Sequence, residues 1–95
     1  MNLDNIEVAN NEAAHNFEMI VNGQRSFIDY KQKDNKMYLI HTEVPAELQG
    51  QGVAEAMVTK TFEYMEQHKL ILVPLCTYIQ AFLRRHPEWD RLLAA

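Results

Sequence analysis

Between His41 and Val58 the chain reads HTEVPAELQGQGVAEAMV: a histidine, a proline turn and a glycine-rich loop in front of an apolar-periodic segment. Most helices begin at Ser, Thr, Asp or Asn, whose side-chain oxygens accept from the free amides of the first turn. This one begins Gln49-Gly50-Gln51-Gly52-Val53-Ala54. Glycine strips away side chains and permits unusual backbone angles, so successive N–H groups point outward with the positive end of the helix dipole behind them. Such a start suits an anion, above all a pyrophosphate; a glycine-capped helix with water on its amides is the plainer alternative. Two better-known phosphate loops are excluded. No Gly-Lys-Ser/Thr follows, and Glu55 occupies the third position of a GxGxxG fingerprint.

Upstream, Asn5 to Val44 reads as a meander of four antiparallel strands. Ile6 and Val8 open the first, Asn10–Ala13 is a turn, and Phe17, Met19 and Val21 alternate in the second. Asn22-Gly23 is a two-residue hairpin turn, because both residues tolerate positive φ. Phe27, Ile28 and Tyr30 mark the third strand, Lys33–Lys36 a polar turn, and Met37–Thr42 the fourth. Downstream the period changes to three or four through Ala54, Met57, Val58, Thr61, Phe62 and Met65, which predicts an amphipathic helix of about four turns from Gly52. Leu70–Val73 is a short apolar run that reads as a buried strand ending at Pro74. A second helix with Ile79, Phe82 and Leu83 on its apolar face stops at His86-Pro87, and a last short helical turn runs to Leu93. A strand–helix–strand unit makes a right-handed crossover, so the fifth strand should lie parallel to the fourth, with ligands gathering at the carboxyl ends of both. The expected class is α+β.

The 95 residues fit one domain, 1–95, with one modest core. A net charge of -4 and no basic cluster beyond Arg84-Arg85 argue against nucleic acid as a partner. No signal peptide or membrane-length apolar run is present, so no membrane partner and a cytoplasmic location are expected. The single cysteine, Cys76, fits a reducing compartment. His15, His68 and His86 show no ligand spacing with it, so no metal site is expected.

The Gln49–Ala54 loop resembles the Q/R-x-x-G-x-G/A loop of the GNAT superfamily of N-acetyltransferases, placed as in that family between strand four and its long helix. LILVPLCTYIQAFLRRHPEW, Leu70 to Trp89, extends the resemblance to the minimal single-domain branch, the YjdJ-type N-acetyltransferase domains. The resemblance implies the minimal GNAT fold and an enzyme that moves acetyl from acetyl-coenzyme A to an amine. It implies that the amides of Gly50, Gln51, Gly52, Val53 and Ala54, with Gln49, hold the pyrophosphate, and that the pantetheine arm lies along strand four near Glu43 and Val44. Pro45 and Pro74, each lacking a backbone donor near the end of a strand, are an independent reason for those strands to part there. Arg84 and Arg85 read as a solvated helix end favourable to the dipole. The resemblance also implies a chain without the superfamily's helical insertion between strands one and two, part of what normally walls the acceptor site. The acceptor, a small amine or a protein, is therefore not visible, and a monomer or weak homo-oligomer is expected.

Cys76 follows strand five and opens the second helix. A lone cysteine is commonly a small buried hydrophobe, but a helix start stabilises thiolate, and the resemblance implies a catalytic role. Thr77 departs from the proline usual among relatives. His41 reads either as the base that deprotonates the thiol or the amine, or as a histidine hydrogen-bonded at a sheet edge. Tyr78 reads as packing, with protonation of a leaving thiolate as its chemical alternative. Two routes stay open: direct attack by an amine deprotonated through His41, and relay through acetyl-Cys76. The rival from another class is a non-catalytic acyl-coenzyme A binding or protein-interaction module.

Overall fold

The protein's computed structural model describes residues 2–93. Five strands form one sheet in the order β1-β2-β3-β4-β5: Ala9–Asn11, Asn16–Val21, Gln24–Lys33, Lys36–Glu43 and Ile71–Pro74. The first four pair antiparallel and β5 runs parallel to β4, as the sequence predicts. Helix α1 spans Val53–Gln67 between β4 and β5, α2 spans Thr77–Arg85, and 3-10 turns cover Ala46–Leu48 and Pro87–Leu92.

Turn chemistry sets the meander. Asn22 and Gly23 both have positive φ, at 52° and 75°, the backbone that a tight hairpin needs. The first strand lies later than its apolar residues suggest. Ile6 and Val8 pack against the core from irregular chain, and pairing begins at Ala9. Asn10 fixes that register: its amide donates to the Tyr64 hydroxyl at 3.2 Å and its carbonyl accepts from Tyr30 at 2.6 Å. The turn follows at residues 12–15, where Asn11 accepts from the Ala14 amide and His15 takes φ 56°.

Both helices cover one face of the sheet. Phe62 of α1 meets Phe82 of α2 edge-on at 5.6 Å and Trp89 at 5.5 Å, joining helices and C-terminal turn in one core with Phe17, Met19, Ile28 and Leu39. Among the described residues no element covers the opposite face, where Ile20 and Ile40 are 49% and 39% exposed.

Strand β4 carries an irregularity that decides what each face holds. Tyr30 pairs with Leu39 but Asp29 pairs with His41, so Ile40 is an extra residue, a β-bulge. Before it Met37 and Leu39 point into the core; after it the phase shifts, and Thr42 lies opposite buried Ile28. Ile40 and His41 consequently both stand on the open face.

Candidate functional site

Strand β5 pairs with β4 only as far as Leu39 and Pro74. Pro74 is therefore the last paired residue, one position earlier than its expected place beyond the strand. The chain then turns away, with the amides of Leu75 and Cys76 both donating to the Leu39 carbonyl at 3.0 Å. From Ile40 to Val44, about 13 Å of extended chain, β4 has no strand on that side.

Where β4 ends, the loop to α1 is held by its own glutamines. Gln49 donates to the Val44 carbonyl at 3.1 Å and Gln51 to the Glu47 carbonyl at 2.8 Å. Gly50 and Gly52 take φ 78° and 80°, the left-handed region that glycine enters without strain. Gly52 is the N-cap of α1 and no side chain caps the helix. The first intrahelical bond runs from the Ala56 amide to the Gly52 carbonyl, and the amides of Val53, Ala54 and Glu55 donate to no backbone acceptor. A Cβ added at Gly50 or Gly52 would meet nothing within 4 Å, so the glycine backbone borders open space. That space is a hollow of about 290 Å³ lined by Val44, Gly50, Gly52, Ala54, Tyr78 and Arg85 among others.

The two candidate chemical side chains lie apart. Cys76 caps α2 with extended backbone, is 7% exposed, and its Sγ lies 3.5 Å from the Thr42 hydroxyl on the helix-covered face. His41 stands on the open face, its Nε2 2.8 Å from a Glu43 carboxylate oxygen and its ring 6.5 Å from Phe27. Neighbouring strands are as the sequence predicts, yet no hydrogen bond joins His41 to Cys76 among the described residues. The bulge at Ile40 separates them.

Residues 16–92 match the family described as GCN5-related N-acetyltransferase. The chain belongs to that family. Its chemistry is acyl transfer, with acetyl-coenzyme A as the family's general donor. The acetyltransferase is also similar in structure to a GCN5-like protein from Staphylococcus aureus, solved in solution by NMR, with a TM-score of 0.71 over 97% of this chain and 91% of that one. At 23% identity this likeness shows a shared fold, which in this chain is a mixed sheet whose strands β4 and β5 part after Leu39 and Pro74.

Two side chains join the acetyltransferase's loop hollow that the sequence reading set aside. Tyr78 and Arg85, seven residues apart on α2, share one helix face and line the hollow together, whereas Arg84 does not. Burial pushes the Tyr78 hydroxyl above its usual range, and the interaction with Arg85 pulls it back. Glu55 also borders the hollow, and His86 lies 3.6 Å from its carboxylate. The seven-residue spacing was visible in the sequence; which face of α2 meets the loop was not. Among the described residues no group of three or more His, Cys, Asp or Glu could hold a metal ion, and no helix is long and apolar enough to cross a membrane.

Larger hollows lie elsewhere. One of about 650 Å³ runs between the N-terminal segment and α1, reaching Gln51 and Gly52 from the other side, and one of about 590 Å³ opens on the uncovered sheet face beside Ile40 and Leu75.

Proposed function

We propose that this acetyltransferase moves acetyl from acetyl-coenzyme A directly to a free amine, with the Gln49–Ala54 loop holding the donor's pyrophosphate and His41 receiving the amine's proton. The observation that carries the reading is the start of α1: left-handed glycines, no cap, three unbonded amides and a hollow in front of them. A pyrophosphate fits it by charge and by size of approach, since the amides and the helix dipole favour an anion and no side chain intervenes. Arg85 adds a cation at the same hollow, where a guanidinium can take two phosphate oxygens at once.

Acetyl-coenzyme A supplies an acyl group activated as a thioester. The chain's own part begins with the free edge of β4. Between Val44 and Ile40 it offers backbone groups that an extended amide-bearing arm can pair with, as an added strand would, with Glu43 and Val44 at the loop end. His41 stands on that strand, and Glu43 at 2.8 Å orients its imidazole and stabilises it once protonated. Direct attack is favoured over relay because Cys76 is buried on the other face, its thiol against Thr42. The lone free thiol suits a reducing, cytoplasmic setting, which belongs to the same proposal, as does a single domain over 1–95.

The test is intact-mass measurement with labelled acetyl-coenzyme A, with and without an amine. Direct transfer expects no adduct on Cys76, activity that survives Cys76→Ala, and at least a hundredfold loss in His41→Ala, within the range typical of a lost general base. A labelled Cys76 that an amine discharges would establish the relay instead. Binding of coenzyme A without transfer to any amine would leave an acyl-coenzyme A binding module.

A further inference from the structure

The free edge of β4 runs between two hollows, and the second has a composition of its own. At the Ile40 end, on the sheet face that no helix covers, Tyr38, Ile40 and Leu75 form an apolar floor. Leu75 is 56% exposed, more than any other large apolar side chain among the described residues. Lys31 and Lys33 border the same groove, which holds about 590 Å³. No carboxylate lines it, and neither lysine is in an ion pair among the described residues. In a chain of net charge -4, two unpaired cations beside an apolar floor are a local reversal of sign.

Resting on the acetyl-transfer reading above, we propose that this groove seats the acceptor, and that the acceptor is a small amine with an apolar body and a carboxylate, of the kind an apolar free amino acid presents. Tyr38, Ile40 and Leu75 take the apolar body. Lys31 and Lys33 take the carboxylate, as ammonium groups do at an open site. The same two charges act on the amine: a positive surrounding disfavours its protonated form, leaving the lone pair that must attack. In the transfer the amine nitrogen bonds to the acyl carbon, the carbon–sulfur bond breaks, coenzyme A leaves as thiolate, and the amine's proton passes to His41. Polyamines and lysine side chains are excluded by like charge.

The experiment follows thiol release from acetyl-coenzyme A with matched acceptors: leucine against leucinamide, phenylalanine against phenylalaninamide, and spermidine. Removing the carboxylate charge makes an α-amine less basic, so chemistry alone favours the amides. The groove expects the reverse, with kcat/KM for each amino acid at least tenfold above that of its amide and spermidine lowest. In the Lys31→Gln/Lys33→Gln double variant that preference should collapse toward one while coenzyme A binding is retained. Amides used as well as acids, spermidine preferred, or an unchanged preference in the double variant would overturn the proposal. Intact coenzyme A binding with no transfer to either amino acid would also overturn it and leave the donor site standing. Failure of the wild type to bind coenzyme A would remove the reading beneath it.

Discussion

Gly52→Ala separates what the loop does for the fold from what it does for a ligand. Gly52 sits at φ 80°, and a Cβ there meets no atom within 4 Å, so the substitution causes no clash, only backbone strain. Gly23 has nearly the same angle, 75°, and the same open surroundings, in a hairpin turn outside the loop hollow. Left-handed backbone costs an L-residue about 1–2 kcal/mol, and the stiffer unfolded chain returns about 0.4–1 kcal/mol. Each alanine variant should therefore lose about 1 kcal/mol, a fall in melting temperature of about 4–8 °C at this chain length. The two part at the ligand. At Gly52 the new methyl enters the space in front of the first-turn amides, and loss of one charge-assisted hydrogen bond, about 1.5–3 kcal/mol, should weaken coenzyme A binding about 10- to 150-fold. Titration calorimetry and thermal melts on wild type, Gly23→Ala and Gly52→Ala measure both quantities. Wild-type affinity in Gly52→Ala, with the two melting temperatures lowered alike, would refute the loop's role.

Arg85→Gln should weaken coenzyme A binding at least tenfold while Arg84→Gln leaves it within twofold, since only the first lines the loop hollow; calorimetry under equal salt decides between them. Phe62→Ala should cost about 3–5 kcal/mol, because the ring is fully buried between Phe82 and Trp89; a lowered urea midpoint at unchanged slope would report it. Arg91 holds the Glu66 carboxyl below its usual range, tying the C-terminal turn to α1. A folded-state pKa lowered in this way gives stability that is present above the ordinary carboxylate range and lost as pH falls through it. Urea midpoints followed from neutral to acid pH should therefore fall less steeply in Arg91→Ala than in wild type.

Local chemistry was legible in the sequence where one residue type decides the backbone. Asn22-Gly23 turned as read, the period through Met57, Phe62 and Met65 gave α1, and Gly50 and Gly52 took the left-handed angles that a bare helix start needs. Hydrophobic alternation failed at β1, because there the pairing register is held by Asn10 between two tyrosine hydroxyls while apolar Ile6 and Val8 fill the core from irregular chain. It failed again at Ile40. A bulge exists only in the count of one strand against another, so nothing within Met37–Thr42 marks it. That parity also governs the site: strand order correctly made the segments of His41 and Cys76 neighbours, and the bulge then assigned the two side chains to opposite faces. The polar network on the open face, where Arg25 bonds Glu18 and Asn16 and stacks over Phe27, came from two strands at once and had no signature in either of them.

Strand β4 carries one residue more than the stretch of β3 opposite it, and the surplus sits at Ile40. Removing it would close the bulge without exchanging the faces: His41 would follow Leu39 on the open side, Thr42 would stay opposite Ile28 with its hydroxyl against Cys76, and the pairs Tyr30–Leu39, Asp29–His41 and Ile28–Thr42 would run in unbroken register. What would go is the local bend and twist that an extra residue gives a strand, at the point where β4 parts from β5. A codon lost at Ile40 is therefore expected to spare the core and to change the line that the free edge of β4 takes toward the loop.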